Sequence, residues 1–109
     1  MNIAIVGVGL IGGSFARALR RQSEGMRVIG IDRERASLDD ALRMGVIDEA
    51  ATLAAVADCD AVLIAVPVRQ FPKVIAALSG YLKPETVVTD VGSTKQDVIA
   101  AARAALGAK

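Results

Sequence analysis

Gly7, Gly9 and Gly12 form a G-x-G-x-x-G series directly after the aliphatic run Ile3, Ala4, Ile5 and Val6 and directly before a stretch of helical periodicity. At such a junction each glycine has a mechanical task. Gly7 permits a tight turn, Gly9 lets a diphosphate approach the main chain with no Cβ in the way, and Gly12 lets the helix pack closely on the strand. The amides of Leu10 and Ile11 open that helix as unpaired donors at its positive end, which suits an anionic diphosphate. Asp32 stands twenty residues past Gly12, at the end of the next predicted strand, where an acid accepts hydrogen bonds from an adenosine ribose. A carboxylate there repels a 2′-phosphate and points to NAD. Arg33 and Arg35 follow at once and keep NADP open, because an arginine in that place can hold the extra phosphate, the alternative being that both sit on a solvated helix face. Two structural alternatives stand beside these readings: a strand-to-helix turn that needs its glycines only for packing, and Asp32 as the N-cap of a helix beginning near Glu34.

The rest of the chain supplies the elements that such a site needs. Asn2 to Val6 reads as a continuous apolar strand covered on both faces, and Leu10 to about Gln22 as a helix with Ile11, Phe15, Ala18 and Leu19 inward and Arg17, Arg20 and Arg21 outward. Arg27 to Ile31 is a second strand. Glu34 to Met44 is a second helix with Leu38, Ala41 and Leu42 inward and Gly45 as its C-terminal stop. A very short strand is expected within Ile47 to Ala51, with Thr52 capping a short helix of LAAVA. Ala61 to Val66 makes a buried strand ended by Pro67. Pro72 sits in the first turn of a helix whose apolar face is Val74, Ile75 and Leu78. Thr86 to Thr89 is a fifth strand and Ser93 to Leu106 a closing helix with Val98, Ile99, Ala102 and Leu106 inward. Strands alternating with helices predict an α/β fold, a doubly wound parallel sheet of the Rossmann type, which five strands leave one short of complete. The expectation is a dinucleotide domain cut before its last strand.

Composition limits the other classes. One domain suits 109 residues, and 53% hydrophobic with 23% charged residues is globular, with three aromatics marking an aliphatic core. A formal charge of +1 is too balanced for a nucleic-acid surface. With one cysteine and no histidine, an internal disulfide and a Cys/His metal site are excluded, and a cytoplasmic setting is the default. The first apolar run is broken by Gly7 and Gly9, has no basic region before it and falls short of the ~20 residues of a membrane span.

The ends of the fourth and fifth strands, IAVPV and VTDVGSTK, should lie at the same carboxyl edge as the glycine series, which brings Val66 and Pro67 to the border of the cofactor. Ser93 to Gln96 fits the capping box S-x-x-Q, with a place at the catalytic edge in addition. Taken together, GVGLIGGS, Asp32, AVLIAVPV and TDVGSTK resemble the nucleotide-binding domain of prephenate and arogenate dehydrogenases over the whole chain. The resemblance implies oxidative decarboxylation of prephenate, or its amino analogue arogenate, with hydride passing to the nicotinamide on the way to tyrosine. It implies that Ser93 sits beside the nicotinamide and orients a histidine that acts on the ring hydroxyl. It also implies that this histidine, the substrate arginines and the helical dimerisation domain lie beyond Lys109, so that the 109 residues bind cofactor without turning over substrate. Pyrroline-carboxylate reductases and β-hydroxyacid dehydrogenases share the loop but differ around it, and a non-catalytic NAD-sensing module is the alternative from another class.

The remaining candidates read as structural. Cys59 lies between Asp58 and Asp60, whose charges disfavour a thiolate. Met26 and Met44 are expected to fill gaps, Tyr81 to be peripheral and Lys95 to be solvated at a helix start.

Overall fold

The computed structural model describes residues 1–9, 13–14, 16–18, 21 and 25–90. Five strands form one parallel sheet: β1 (Asn2–Val6), β2 (Arg27–Ile31), β3 (Glu49–Ala50), β4 (Ala61–Ile64) and β5 (Val87–Asp90), in the order β3-β2-β1-β4-β5. Helical residues 13–14, 16–18 and 21 follow the glycine turn. Helix α1 (Arg35–Arg43) joins β2 to β3, a 3-10 segment (Leu53–Asp58) joins β3 to β4, and α2 (Phe71–Leu78) lies between β4 and β5.

The strands are apolar at consecutive positions because both faces are covered. Ile3, Ile5, Val28, Ala61 and Leu63 point to one side, where Ala16, Leu38 and Ala41 close a core. Ala4, Val6, Ile29, Ile31, Val62 and Ile64 point to the other, against Val56, Cys59 and Leu78. Alternate residues of the same strand thus serve opposite cores, which is the double winding expected from the sequence. Pairing is in register at the carboxyl edge: Val6 faces Ile31 on one side and Ile64 on the other, and Ile64 faces Asp90. Four strands therefore end flush, and the segments that leave them start from one line. At the amino edge the Asn2 amide donates to the Asp60 carboxylate (2.9 Å) and the Val28 amide to that of Asp48 (2.8 Å), so carboxylates close the ends of β1 and β2.

Helix α1 stops where expected. The Gly45 amide donates to Leu42 O (3.1 Å) and the Val46 amide to Ala41 O (2.9 Å), the paired bonds of a Schellman ending. Gly30, in the middle of β2, meets a different demand. A Cβ there would lie 2.5 Å from Ile47 Cδ1 and 3.2 Å from Val8 Cγ1, so the bare strand lets two core side chains lie directly upon it.

Several expectations need correction. Leu42 is 37% exposed, Ile75 43% and Met44 61%, so none of the three is an inward residue. Helix α1 rests on the sheet through Leu38 and Ala41, and α2 through Leu78 with Val74 beside it, which leaves flanking apolar residues outside the contact. The fourth strand ends at Ile64 rather than Val66, because after the Ala65 amide closes on Val6 O (2.8 Å) the chain turns away. The second helix begins at Arg35 with Glu34 at the N-cap, so Asp32 is not its cap. LAAVAD is a 3-10 segment, and Thr52 stands at its N-cap without a side-chain bond. Met26 is buried and Tyr81 exposed, as expected. Leu10, Ile11, Gly12, Phe15, Leu19, Arg20 and the whole of Ser93 to Leu106 lie outside the described residues.

Cys59 is 4% exposed and its thiol donates to Ala55 O at 3.4 Å. Burial first, then the charges of Asp58, Asp60 and Glu49, push its pKa from 9.0 up to about 11. The sequence identified the neighbouring carboxylates but not burial as the larger cause. Since the folded pKa is the higher, the thiol's contribution to stability is intact below pH 9 and is lost as pH rises towards 11. Alkylation by iodoacetamide at pH 8 is expected to run about 100-fold slower in the native protein than in urea. Equal rates would show that Cys59 is reachable and ionisable in the fold.

Candidate functional site

The chain reverses direction around β1. Strand β2 lies on one side of it and β4 on the other, so the connections leaving β1 and β4 diverge and open a crevice above their carboxyl ends, the switch point where ligands of open α/β sheets bind. A cleft of about 710 Å³ occupies that place, large enough for a cofactor-sized molecule. Gly7, Gly9, Asp32, Arg33, Val66 and Pro67, each proposed from the sequence, all line it. Leu10, Ile11, Gly12 and Ser93 are outside the described residues; Ser93 comes three residues after the end of β5 in sequence.

Gly7 makes the turn at φ +94°, and its amide donates to Ile31 O at 2.7 Å. A Cβ at Gly7 would lie 2.9 Å from Ala65 O, so the turn passes against the backbone leaving β4. Gly9 is exposed, and a Cβ there would meet none of the described residues within 4 Å. Among the described residues, then, no side chain fills the space beside Gly9. The Gly13 amide donates to Gly9 O (2.8 Å), a bond of helical i to i−4 spacing.

Asp32 is half-buried at the end of β2 and uses both carboxylate oxygens. Oδ2 accepts from the Val8 amide at 3.0 Å and Oδ1 from the Glu34 amide at 2.9 Å. Each oxygen keeps a second lone pair for a further donor. Arg33 is exposed and, among the described residues, has no ion-pair partner. Among the described lining residues opposite-sign groups balance, Asp32 and Glu34 against Arg33 and Lys73.

Sequence reasoning missed Ser37, Thr52, Gln70 and Lys73, which line the same cleft. Lys73 and Gln70 belong to the start of α2, and the signal for them was available: the helix following a strand of this sheet begins at the carboxyl edge, so its first turn borders the crevice. Among the described residues no helix is long and apolar enough to cross a membrane, and no group of three or more His, Cys, Asp or Glu could hold a metal.

A parallel sheet in this order, wound on both faces, with a glycine turn and an acid at its switch point, defines a Rossmann-type nucleotide-binding domain. The family described as the nucleotide-binding domain of prephenate dehydrogenase matches residues 15–109, and the chain belongs to it. It is 41% identical over 101 residues to a prephenate dehydrogenase of Bacillus subtilis, covering 90% of this chain and 27% of that protein. Its fold superposes with a TM-score of 0.78 on prephenate dehydrogenase from A. aeolicus in complex with hydroxyphenyl propionate and NAD+, at 38% identity over 98% of this chain and 38% of that one. The TM-score is likewise 0.78 for Synechocystis arogenate dehydrogenase, at 31% identity over 96% of this chain and 37% of that one. The chain thus spans between a quarter and two-fifths of the length of these relatives.

Proposed function

We propose that this domain binds NAD across the cleft and serves as the cofactor half of a dehydrogenase that oxidatively decarboxylates prephenate or arogenate. The observation that carries the reading is the cleft above the flush ends of β1, β2 and β4, lined by Gly9 and Asp32, where no described residue comes within 4 Å of a Cβ placed at Gly9. A diphosphate needs bare main chain, an adenosine ribose needs an acceptor pair, and these residues present both. The bound nicotinamide supplies the hydride acceptor. The chain's own part is to hold and to shield: Gly7 and Gly9 admit the diphosphate, with Leu10, Ile11 and Gly12 completing its cradle. Asp32 accepts from the ribose hydroxyls through its remaining lone pairs and disfavours a 2′-phosphate, against which Arg33 pulls. Val66 and Pro67 form an apolar wall that limits water. Ser93 orients the group that takes the proton from the ring hydroxyl; this group and the residues that hold the substrate come from outside the 109 positions, as does a helical dimerisation surface. A cytoplasmic location accords with the chemistry.

Titration with NADH and NADPH, followed by their own fluorescence in a chain without tryptophan, tests the reading. NADH is expected to bind the more tightly, and Asp32→Ala to narrow the gap by about tenfold. Equal affinities in the wild type, or a preference that survives the substitution, would overturn the role given to the carboxylate.

A further inference from the structure

The turn after β1 is stitched to the end of β2 by two successive amides. Gly7 N–H donates to Ile31 O (2.7 Å) and Val8 N–H to Asp32 Oδ2 (3.0 Å). The first bond is main chain to main chain and would form with any residue at 31. The second depends on a side chain. Val8 is itself pinned from below, since its side chain is buried in the core against Gly30. Its amide is thus held in a fixed place at the floor of the turn, and the Asp32 carboxylate is the acceptor that meets it. The other oxygen of the same carboxylate holds the Glu34 amide at the entrance to α1, so the acid cannot swing away from Val8 without releasing a second donor.

Building on the nucleotide-binding reading above, we propose that Asp32 is a positioning residue for the glycine turn as well as a ribose ligand: its carboxylate, by accepting from Val8, shapes the diphosphate cradle before any ligand arrives. The two roles do not compete, because a carboxylate oxygen with one lone pair on an amide keeps another for a hydroxyl. An asparagine cannot replace it. Val8 and Glu34 both present N–H donors, and an amide side chain has one oxygen, so whichever way it is turned its NH₂ faces one of them.

The test compares the wild type with Asp32→Ala, Asp32→Asn and Asp32→Glu. In the ligand-free protein the Val8 amide is expected to exchange hydrogen about tenfold faster in Asp32→Ala, while the Ala4 and Ile5 amides of β1 keep their rates. Asp32→Asn serves if the alanine variant does not fold, and Asp32→Glu is expected to restore part of the protection. The second readout is binding of ADP and of 2′,3′-dideoxy-ADP, which keeps the diphosphate but has no ribose hydroxyls. A positioning role makes dideoxy-ADP bind about tenfold more weakly to Asp32→Ala. A role on ribose alone gives the opposite sign, since removing a negative charge near a diphosphate leaves its affinity unchanged or raises it. Unaltered Val8 exchange, or dideoxy-ADP held as tightly as before, overturns the proposal. Failure of the wild type to bind ADP would instead overturn the nucleotide reading, with Val8 exchange still deciding the positioning role.

Discussion

Gly7→Ala is expected to cost about 2–4 kcal/mol of folding stability and to abolish measurable nucleotide binding. Two independent effects coincide. The backbone is at φ +94°, where a residue with a Cβ is strained, and the new methyl would lie 2.9 Å from Ala65 O and 3.1 Å from Ala65 C. Those atoms belong to the main chain at the end of β4, whose Ala65 amide is committed to Val6 O. They cannot yield without breaking the β1–β4 ladder on which the cleft stands. Urea denaturation measures the first effect and NADH titration the second. Gly9→Ala provides the contrast: its Cβ meets no atom of the described residues within 4 Å, so stability should change by less than about 1 kcal/mol while NADH affinity falls. If both variants lost stability alike, the assignment of one glycine to the fold and the other to the ligand would be wrong.

The second large effect belongs to Leu78. It is fully buried and is the residue that anchors α2 to the sheet, packed in the core with Val6, Ile64 and Val56. Leu78→Ala removes most of that side chain from a closed interior and should destabilise the protein by about 2–5 kcal/mol, a large share of the ~5–15 kcal/mol typical of a domain. The consequence reaches the cleft, since Lys73, Val74 and Ala77 on the same helix form one of its walls. NADH affinity is therefore expected to fall at temperatures where the variant is still folded by circular dichroism. A shift in the urea midpoint below about 1 kcal/mol would mean that α2 is held by other contacts.

The fold was legible because its strands are written as runs of aliphatic residues, and a run covered on both faces has only one common architecture. Strands β1 and β2 begin and end where the sequence placed them. Helix faces were less legible. Periodicity marks the apolar side of α1 and α2, but whether Leu42 or Ile75 at the margin is covered depends on how many residues a short helix lays on the sheet, and that is set by neighbours far away in sequence. The site divides the same way. That Gly7, Gly9 and Asp32 would meet at one cleft could be read from local spacing, and that Val66 and Pro67 would border it from the end of a strand. The bond from Val8 to Asp32 joins positions 24 apart and exists only because β1 and β2 end level. Gly30 carried a signal that went unread, an isolated glycine inside a strand, which marks a close approach.

The order of the sheet gives the molecule a schedule as it is made. The middle strand is also the earliest to be synthesised, and it gains its β2 neighbour after residue 31 and its β4 neighbour only after residue 64. Until then one edge of β1 stands open to water, so the crevice has no second bank. The crevice is complete only when β4 docks and adds its bank to the one that β2 already forms.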